Sequence, residues 1–195
     1  MADGQPLFLV IKLWLVLVPV IISAVSNSKL VAAHDEQAKR KLETNTNASG
    51  FISIDCGANE GRRDNETGIF YETDAGYVDT GEVHQISLHD FVHNRYPQKL
   101  KNLRSFPQGT RNCYTLKLEQ GTNNNYLIRA VFAYGNYDNK KQKPVFDLYI
   151  GVNKWATVDS EFISCEIINV FSNESIDVCL INTGHGVPYI SVLEL

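Results

Sequence analysis

A surplus of positive charge is missing from this chain. Lysine and arginine number 18 against 22 aspartates and glutamates in 195 residues, a formal net charge of −4. That gives no electrostatic basis for a nucleic-acid partner, which needs a clustered basic surface. Glycine and proline, at 13 and 6, are too few for a collagen repeat or a low-complexity disordered chain. Cysteine is limited to four residues, none of them in a CxxC pair, so the spacing is not that of a zinc site. No G-x-S-x-G elbow, H-E-x-x-H pair, phosphate loop or kinase signature occurs. Carboxylates are plentiful, including Asp55, Asp74, Asp79, Asp138 and Asp147, but no recognisable signature pairs two of them as a glycosidase requires. His84, His89 and His93 read as exposed, solvated histidines, although the last two are spaced i, i+4. The expectation is a non-enzyme with no cofactor and no metal.

What is present begins with an export signal. From Leu7 to Ile22 nearly every residue is apolar except Lys12, and the uninterrupted run Leu13–Ile22 has the length of a signal-peptide core. Small residues follow, so residues 1–26 read as a signal peptide, with cleavage after Ser26 or as late as Ala33. An uncleaved signal anchor is the alternative and would be the chain's own link to a membrane. No second long apolar run follows. Either form enters the secretory pathway and ends outside the cell or at the plasma membrane.

Four cysteines beyond that segment, Cys56, Cys113, Cys165 and Cys179, predict two disulfides in an oxidising compartment, with three possible connectivities. The turn-prone Ser172–Ser175 lies between Cys165 and Cys179, so a hairpin there would join those two and leave Cys56 for Cys113. Sequons at Asn47, Asn65 and Asn173 are expected glycosylation sites once the chain is exported.

Residues 34–50 hold no aromatic residue and little apolar content, and read as a flexible leader. Order is expected from Phe51 to Leu195, and its signals are β. Along Asn112–Leu118, Tyr114, Leu116 and Leu118 share one parity; along Val145–Val152, Phe146, Leu148, Ile150 and Val152 share one face. Phe51–Asp55, Tyr126–Tyr134, Ser175–Ile181 and Tyr189–Leu195 continue the pattern, separated by Gly, Asn and Pro clusters. His89–Leu100 offers at most a short helix. Many short strands with turn signals predict an all-β sandwich or barrel.

Several strings in this region resemble one family. They are Gly50-Phe-Ile-Ser-Ile-Asp-Cys-Gly57, Tyr77-Val-Asp-Thr-Gly81, the run Leu103–Leu116 with its Arg-Ser-Phe-Pro, Tyr126–Ala130, Tyr134-Gly-Asn-Tyr-Asp138, Phe146–Val152 and Val178–Gly184. In order and approximate spacing they are similar to the first lobe of the extracellular malectin-like domain of plant leucine-rich-repeat receptor-like kinases, over about Phe51–Leu195. The resemblance implies a malectin-like jelly-roll β-sandwich at the cell surface, sensing cell-wall carbohydrate or peptide. The second lobe, repeats and kinase that such receptors carry have no counterpart in these residues, so the chain is expected to be a truncated form that cannot phosphorylate.

Sugar recognition needs flat aromatic faces for the C–H side of a ring and a few directed polar groups. Tyr134-Gly-Asn-Tyr-Asp138 supplies both within five residues. By the resemblance, Tyr137 falls on a sugar-contacting aromatic position of malectin, Asp138 replaces its neighbour, and Phe106 falls near another; a carboxylate that malectin uses would lie past Leu195. Tyr134 shares core parity with Tyr126, Ile128 and Ala130, while Tyr137 sits past the strand and is expected exposed. Phe106 either lines the site or plugs one end of the sandwich. Arg104 and Arg111 flank the intervening loop and would suit an acidic sugar, although such arginines more often pair with carboxylates of their own domain. The expected partner is a cell-wall glycan or oligosaccharide, bound weakly, with a peptide or a full-length receptor ectodomain as the alternative.

Overall fold

Where apolar residues alternate along this chain, they turn to one side of a sheet. In the computed structural model, which describes residues 50–87, His89 and residues 96–195, Tyr114, Leu116, Phe146, Leu148, Ile176, Val178 and Leu180 are all buried. The signal segment of residues 1–26, its alternative end at 33, nearly all of the 34–50 leader, Asn47 and His93 lie outside the described residues.

Among the described residues the strands are β1 (Ser53–Asp55), β2 (Arg62–Arg63), β3 (Phe70–Thr73), β4 (Glu82–Gln85), β5 (Asn102–Ser105), β6 (Arg111–Lys117), β7 (Asn125–Ala133), β8 (Val145–Ile150), β9 (Asn153–Val158), β10 (Phe162–Val170), β11 (Ser175–His185), β12 (Tyr189–Ile190) and β13 (Val192–Glu194), with a 3-10 turn at Gln98–Leu100 before β5. One sheet has the order β10-β7-β13-β1-β3-β2, a second β6-β11-β8-β9, and a third, smaller one β12-β5-β4. The inner faces of the first two meet in one core, where the ring of Phe132 on β7 lies 5.7 Å from that of Phe146 on β8. This is the expected all-β jelly-roll sandwich. Its first and last strands pair: β1 runs antiparallel to β13, and Ile52 and Leu195 exchange reciprocal backbone hydrogen bonds of 2.9 and 2.8 Å.

The expected register of β8 holds, with Phe146, Leu148 and Ile150 in the core. Val152 does not follow them. It is 86% exposed, because β8 ends at Ile150 and the chain turns through Gly151 and Val152 into β9. Of the short helix expected within His89–Leu100, the described part beyond His89 holds only the 3-10 turn.

The disulfide pairing differs from the expected one. Cys113 is bonded to Cys179, and Cys56 and Cys165 are buried free thiols. Ser172–Ser175 is no hairpin: it carries the chain from β10 in the first sheet to β11 in the second, which separates Cys165 from Cys179. On β11, Cys179 instead lies directly opposite Cys113 of β6, with Cα atoms 4.0 Å apart, the closeness of a directly opposed antiparallel pair. Cys56 lies beside Tyr114, whose hydroxyl interacts with it. Side chains alternate along β6, so Tyr114 faces the core and Cys113 turns away from Cys56. Burial pushes the Cys56 thiol well above its ordinary value, and the charge of Asp74 adds to this.

Candidate ligand-binding surface

The loop that follows β7 is shaped by backbone conformations that few residues adopt. Asn136, Asn139 and Lys141 have φ of 48°, 58° and 54°, in the left-handed region that asparagine tolerates best. Gly135 at φ 46° is required for a second reason: a Cβ there would sit 2.0 Å from Cγ2 of Ile86. The loop is therefore pressed against the chain just after β4. Side chains tie it down further. The Tyr134 hydroxyl donates to Asp138 Oδ1 at 2.5 Å, the Lys140 amide donates to the same oxygen at 3.1 Å, and the Lys141 amide donates to Asn136 Oδ1 at 2.9 Å.

This scaffold sets Tyr137 in an aromatic corner. Its ring centroid lies 5.7 Å from Tyr134, 5.7 Å from Tyr189 on β12 and 5.0 Å from the His84 imidazole on β4. Tyr134 and Tyr189 are fully buried, while Tyr137 and His84 are half-buried at the rim and Glu82 is exposed beside them. The hydroxyls of Tyr137 and Tyr189 are both buried, that of Tyr189 with no hydrogen-bond partner among the described residues and that of Tyr137 beside the Ser105 side chain. Burial raises the pKa values of all three phenols; the Asp138 carboxylate adds to this for Tyr134 and Tyr137. His84 and Tyr189 were not legible as parts of this corner, because each reaches it from a strand distant in sequence. His84 is thus not freely solvated, whereas His89 is exposed.

The other residues nominated from sequence stand differently. Phe106 is fully buried, edge-on to Tyr114 at 6.2 Å, so it plugs the sandwich and presents no ring to solvent. Arg104 makes a two-pronged pair with Asp74, Nε to Oδ2 at 2.6 Å and a terminal nitrogen to Oδ1 at 2.7 Å, and also donates to the carbonyl of Thr80. Asp74 in turn accepts from the Gly57 amide at 2.9 Å and the Tyr114 hydroxyl at 3.1 Å. Beside this hub, Asp55 accepts from Arg62 Nε at 2.9 Å. Burial pushes the Asp55 carboxyl up to about 6, against the opposing pull of Arg62. Arg111 lies elsewhere, on the outer face of the second sheet, donating to the Gly151 carbonyl and to Cys179 Sγ.

The structure thus brings Tyr134, Tyr137 and Asp138 together and leaves Arg104 and Phe106 outside the group. Asn65 and Asn173 are both exposed in turns. Among the described residues no cluster of three or more His, Cys, Asp or Glu side chains is placed to hold a metal. Two grooves lie away from the corner. One of about 620 Å³ is lined by Lys117–Glu119, Gly121, Thr122, Glu174 and Ser175. Another, of about 480 Å³, runs between β9 and the end of β10 and includes Trp155 and Phe171.

Comparison with known proteins agrees with this architecture. An LRR receptor-like serine/threonine-protein kinase of Arabidopsis thaliana is 49% identical over 153 residues, which is 75% of this chain and 17% of that protein. The chain therefore spans less than a fifth of the length of that curated relative. Among solved structures, the extracellular domain of ANXUR1 from Arabidopsis thaliana superposes with a TM-score of 0.58 at 16% identity, covering 73% of this chain and 46% of that one. The plant receptor-like kinase FER does so with a TM-score of 0.58 at 12% identity, covering 74% and 41%. At those identities the likeness concerns the fold. The profile of the Malectin-like domain matches residues 54–195, and by that match, which takes in every strand of the sandwich from the end of β1 to β13, the chain belongs to the malectin-like domain family.

Proposed function

We propose that this domain is a non-catalytic extracellular binding module that recognises cell-wall carbohydrate, as part of or alongside receptor-like kinase signalling. The observation that carries the reading is the corner around Tyr137: a partly buried aromatic residue at the rim, fixed by three neighbouring rings and a constrained loop, with Glu82 and His84 at its edge. A pyranose offers an apolar C–H face and a ring of hydroxyls, and such a corner supplies a flat surface with polar groups beside it. Relatives named as receptor-like kinases and a neighbour named as an extracellular domain support a place outside the cell. Asp138 and Arg104 are already engaged by protein groups, so few polar contacts remain for a ligand. The affinity is accordingly weak, with dissociation constants in the millimolar range, about −4 kcal/mol. A glycan array of the purified domain with and without Tyr137→Ala tests this: binding that disappears in the variant supports the site, and micromolar binding untouched by the variant overturns it.

A second reading has its own observation. Leu127 and Ile168 are large, exposed and directly opposed on the β7–β10 edge of the first sheet, with exposed Val170 two residues further along the same face. That patch favours a peptide or receptor ectodomain as partner. A blank array, together with co-elution of the domain with a malectin-like receptor ectodomain, would favour this reading over the first.

A further inference from the structure

Phe171-Ser-Asn-Glu-Ser175 places an aromatic residue two positions before a sequon asparagine. These residues form the crossover between β10 and β11, and their backbone is held from both sides. The Asn123 amide donates to the Phe171 carbonyl at 2.8 Å, and the Leu118 amide donates to the Glu174 carbonyl at 2.8 Å. Phe171 leans on Tyr126, ring centroids 6.4 Å apart, and is half-buried. Its remaining surface lines the 480 Å³ groove together with Trp155, Asn153 and Asn169, while Asn173 stands exposed on the rim of that groove. A volume of this size is in the range that holds small ligands, about 300–1,000 Å³. The lining combines two aromatic side chains with amide groups, which is chemistry suited to an N-acetylated sugar.

We propose that Asn173 carries an N-linked glycan whose first N-acetylhexosamine folds back onto Phe171 and into the groove beside Trp155, so that the sugar becomes part of the sandwich edge. The attachment itself is a displacement: the Asn173 amide nitrogen forms a bond to C1 of a lipid-linked oligosaccharide, the pyrophosphate-linked lipid leaves, and the nitrogen loses one proton. Asn65 provides the internal contrast. It too is exposed in a turn, but the residue two before it is Arg63, whose guanidinium is bonded to the Gly68 carbonyl at 2.5 Å. A glycan there has no ring two residues before it and projects into solvent. The groove is separate from the Tyr137 corner: the two flank opposite ends of β7, a nine-residue strand that spans roughly 25–30 Å.

The test uses the full chain secreted from eukaryotic cells. Glycopeptide mass spectrometry is expected to find Asn173 occupied. Asn173→Gln is expected to lower the melting temperature by about 3 °C, Asn65→Gln by less than about 1 °C, and Asn173→Gln in a Phe171→Ala background by less than about 1 °C. Trimming the glycan to its first sugar is expected to preserve the wild-type melting temperature. In NMR spectra, protons of that sugar are expected upfield in the wild type. An unoccupied Asn173, an equal loss on Asn173→Gln with and without the Phe171 ring, or first-sugar protons at their free positions would each overturn the proposal. If Phe171→Ala does not fold, the sugar proton shifts in the wild type decide.

Discussion

The hub around Asp74 and the corner around Tyr137 are both built from aromatic and polar side chains, yet they differ in what they leave unspent. Both oxygens of Asp74 accept from Arg104, and one also accepts from the Gly57 amide and the Tyr114 hydroxyl. It ties the chain after β1 to β5 and β6. At the corner, Tyr134 is closed off by Asp138, but Tyr137 is only partly buried, and the Tyr189 hydroxyl is buried without a partner among the described residues. A satisfied buried network holds one structure. An incompletely satisfied one is tolerated where something other than folding gives it a use. The hub is therefore closed within the fold, and the corner is the more open of the two, as the recognition role proposed above requires.

The sharpest way to break that contrast is to cut the hub. Arg104→Ala strands the buried Asp74 carboxylate and is expected to cost about 3–5 kcal/mol in urea-induced unfolding, with glycan affinity unchanged in whatever fraction remains folded. A loss of glycan binding from a fully stable Arg104→Ala protein would move the arginine into the recognition surface and end the distinction.

Asp55, next to the hub, has the opposite pH response to an ordinary paired carboxylate. Its folded value, pushed up to about 6 mainly by burial, exceeds the unfolded value of about 3.8, so between them the folded chain binds more protons. The stability it contributes is present in full below the unfolded value and is lost as pH rises through about 6. The difference in unfolding free energy between the wild type and Asp55→Asn is expected to fall by on the order of 2–3 kcal/mol from pH 4 to pH 7. Denaturant titrations of both proteins across that range check it. A difference that rises with pH would mean that Arg62 governs the site.

At the corner the expected effects on folding are smaller. Tyr137 is half-buried, so Tyr137→Ala is expected to cost about 1–2 kcal/mol of stability, less than the 3–5 typical of a core aromatic, while glycan binding is lost. Calorimetry beside the array separates the two losses. Smallest of all is Tyr189→Phe, which removes a buried hydroxyl lacking a partner. Thermal unfolding is expected to show stability unchanged or raised by up to about 1 kcal/mol. A clear destabilisation would show that the hydroxyl has a partner and that the corner is as closed as the hub.

The contrast also marks where sequence reasoning reached its limit. Strands such as β6 and β8 were legible because one face is buried, and period-2 alternation is the imprint of one buried face. Strands β4 and β5 left no such imprint. Glu82, Val83 and Gln85 are exposed, and on β5 Leu103 is buried beside an arginine whose partner lies on another segment. On β10 the solvent face carries Phe162, Ile168 and Val170, which blurs the alternation altogether. The Tyr134–Asp138 loop was legible from Gly135 and Asn136, whose conformations are local. Between the alternatives open for Arg104 and Phe106 the sequence could not choose, because their surroundings depend on Asp74 and Tyr114, contacts that follow from strand order. The cysteine pairing failed for the same reason: a turn predicts a reversal of direction but not whether the chain returns to the same sheet.

The pairing of β1 with β13 has a mechanical consequence. Ile52 and Leu195 are hydrogen-bonded to each other, so the two boundaries of the sandwich leave from one point, as is common for domains. Such a unit adds little contour length between whatever flanks it. Tension applied across those two points would load the antiparallel ladder from its Ile52–Leu195 end, opening its bonds one after another instead of shearing them together. A force applied there would meet a zipper, and its first tooth is that reciprocal pair.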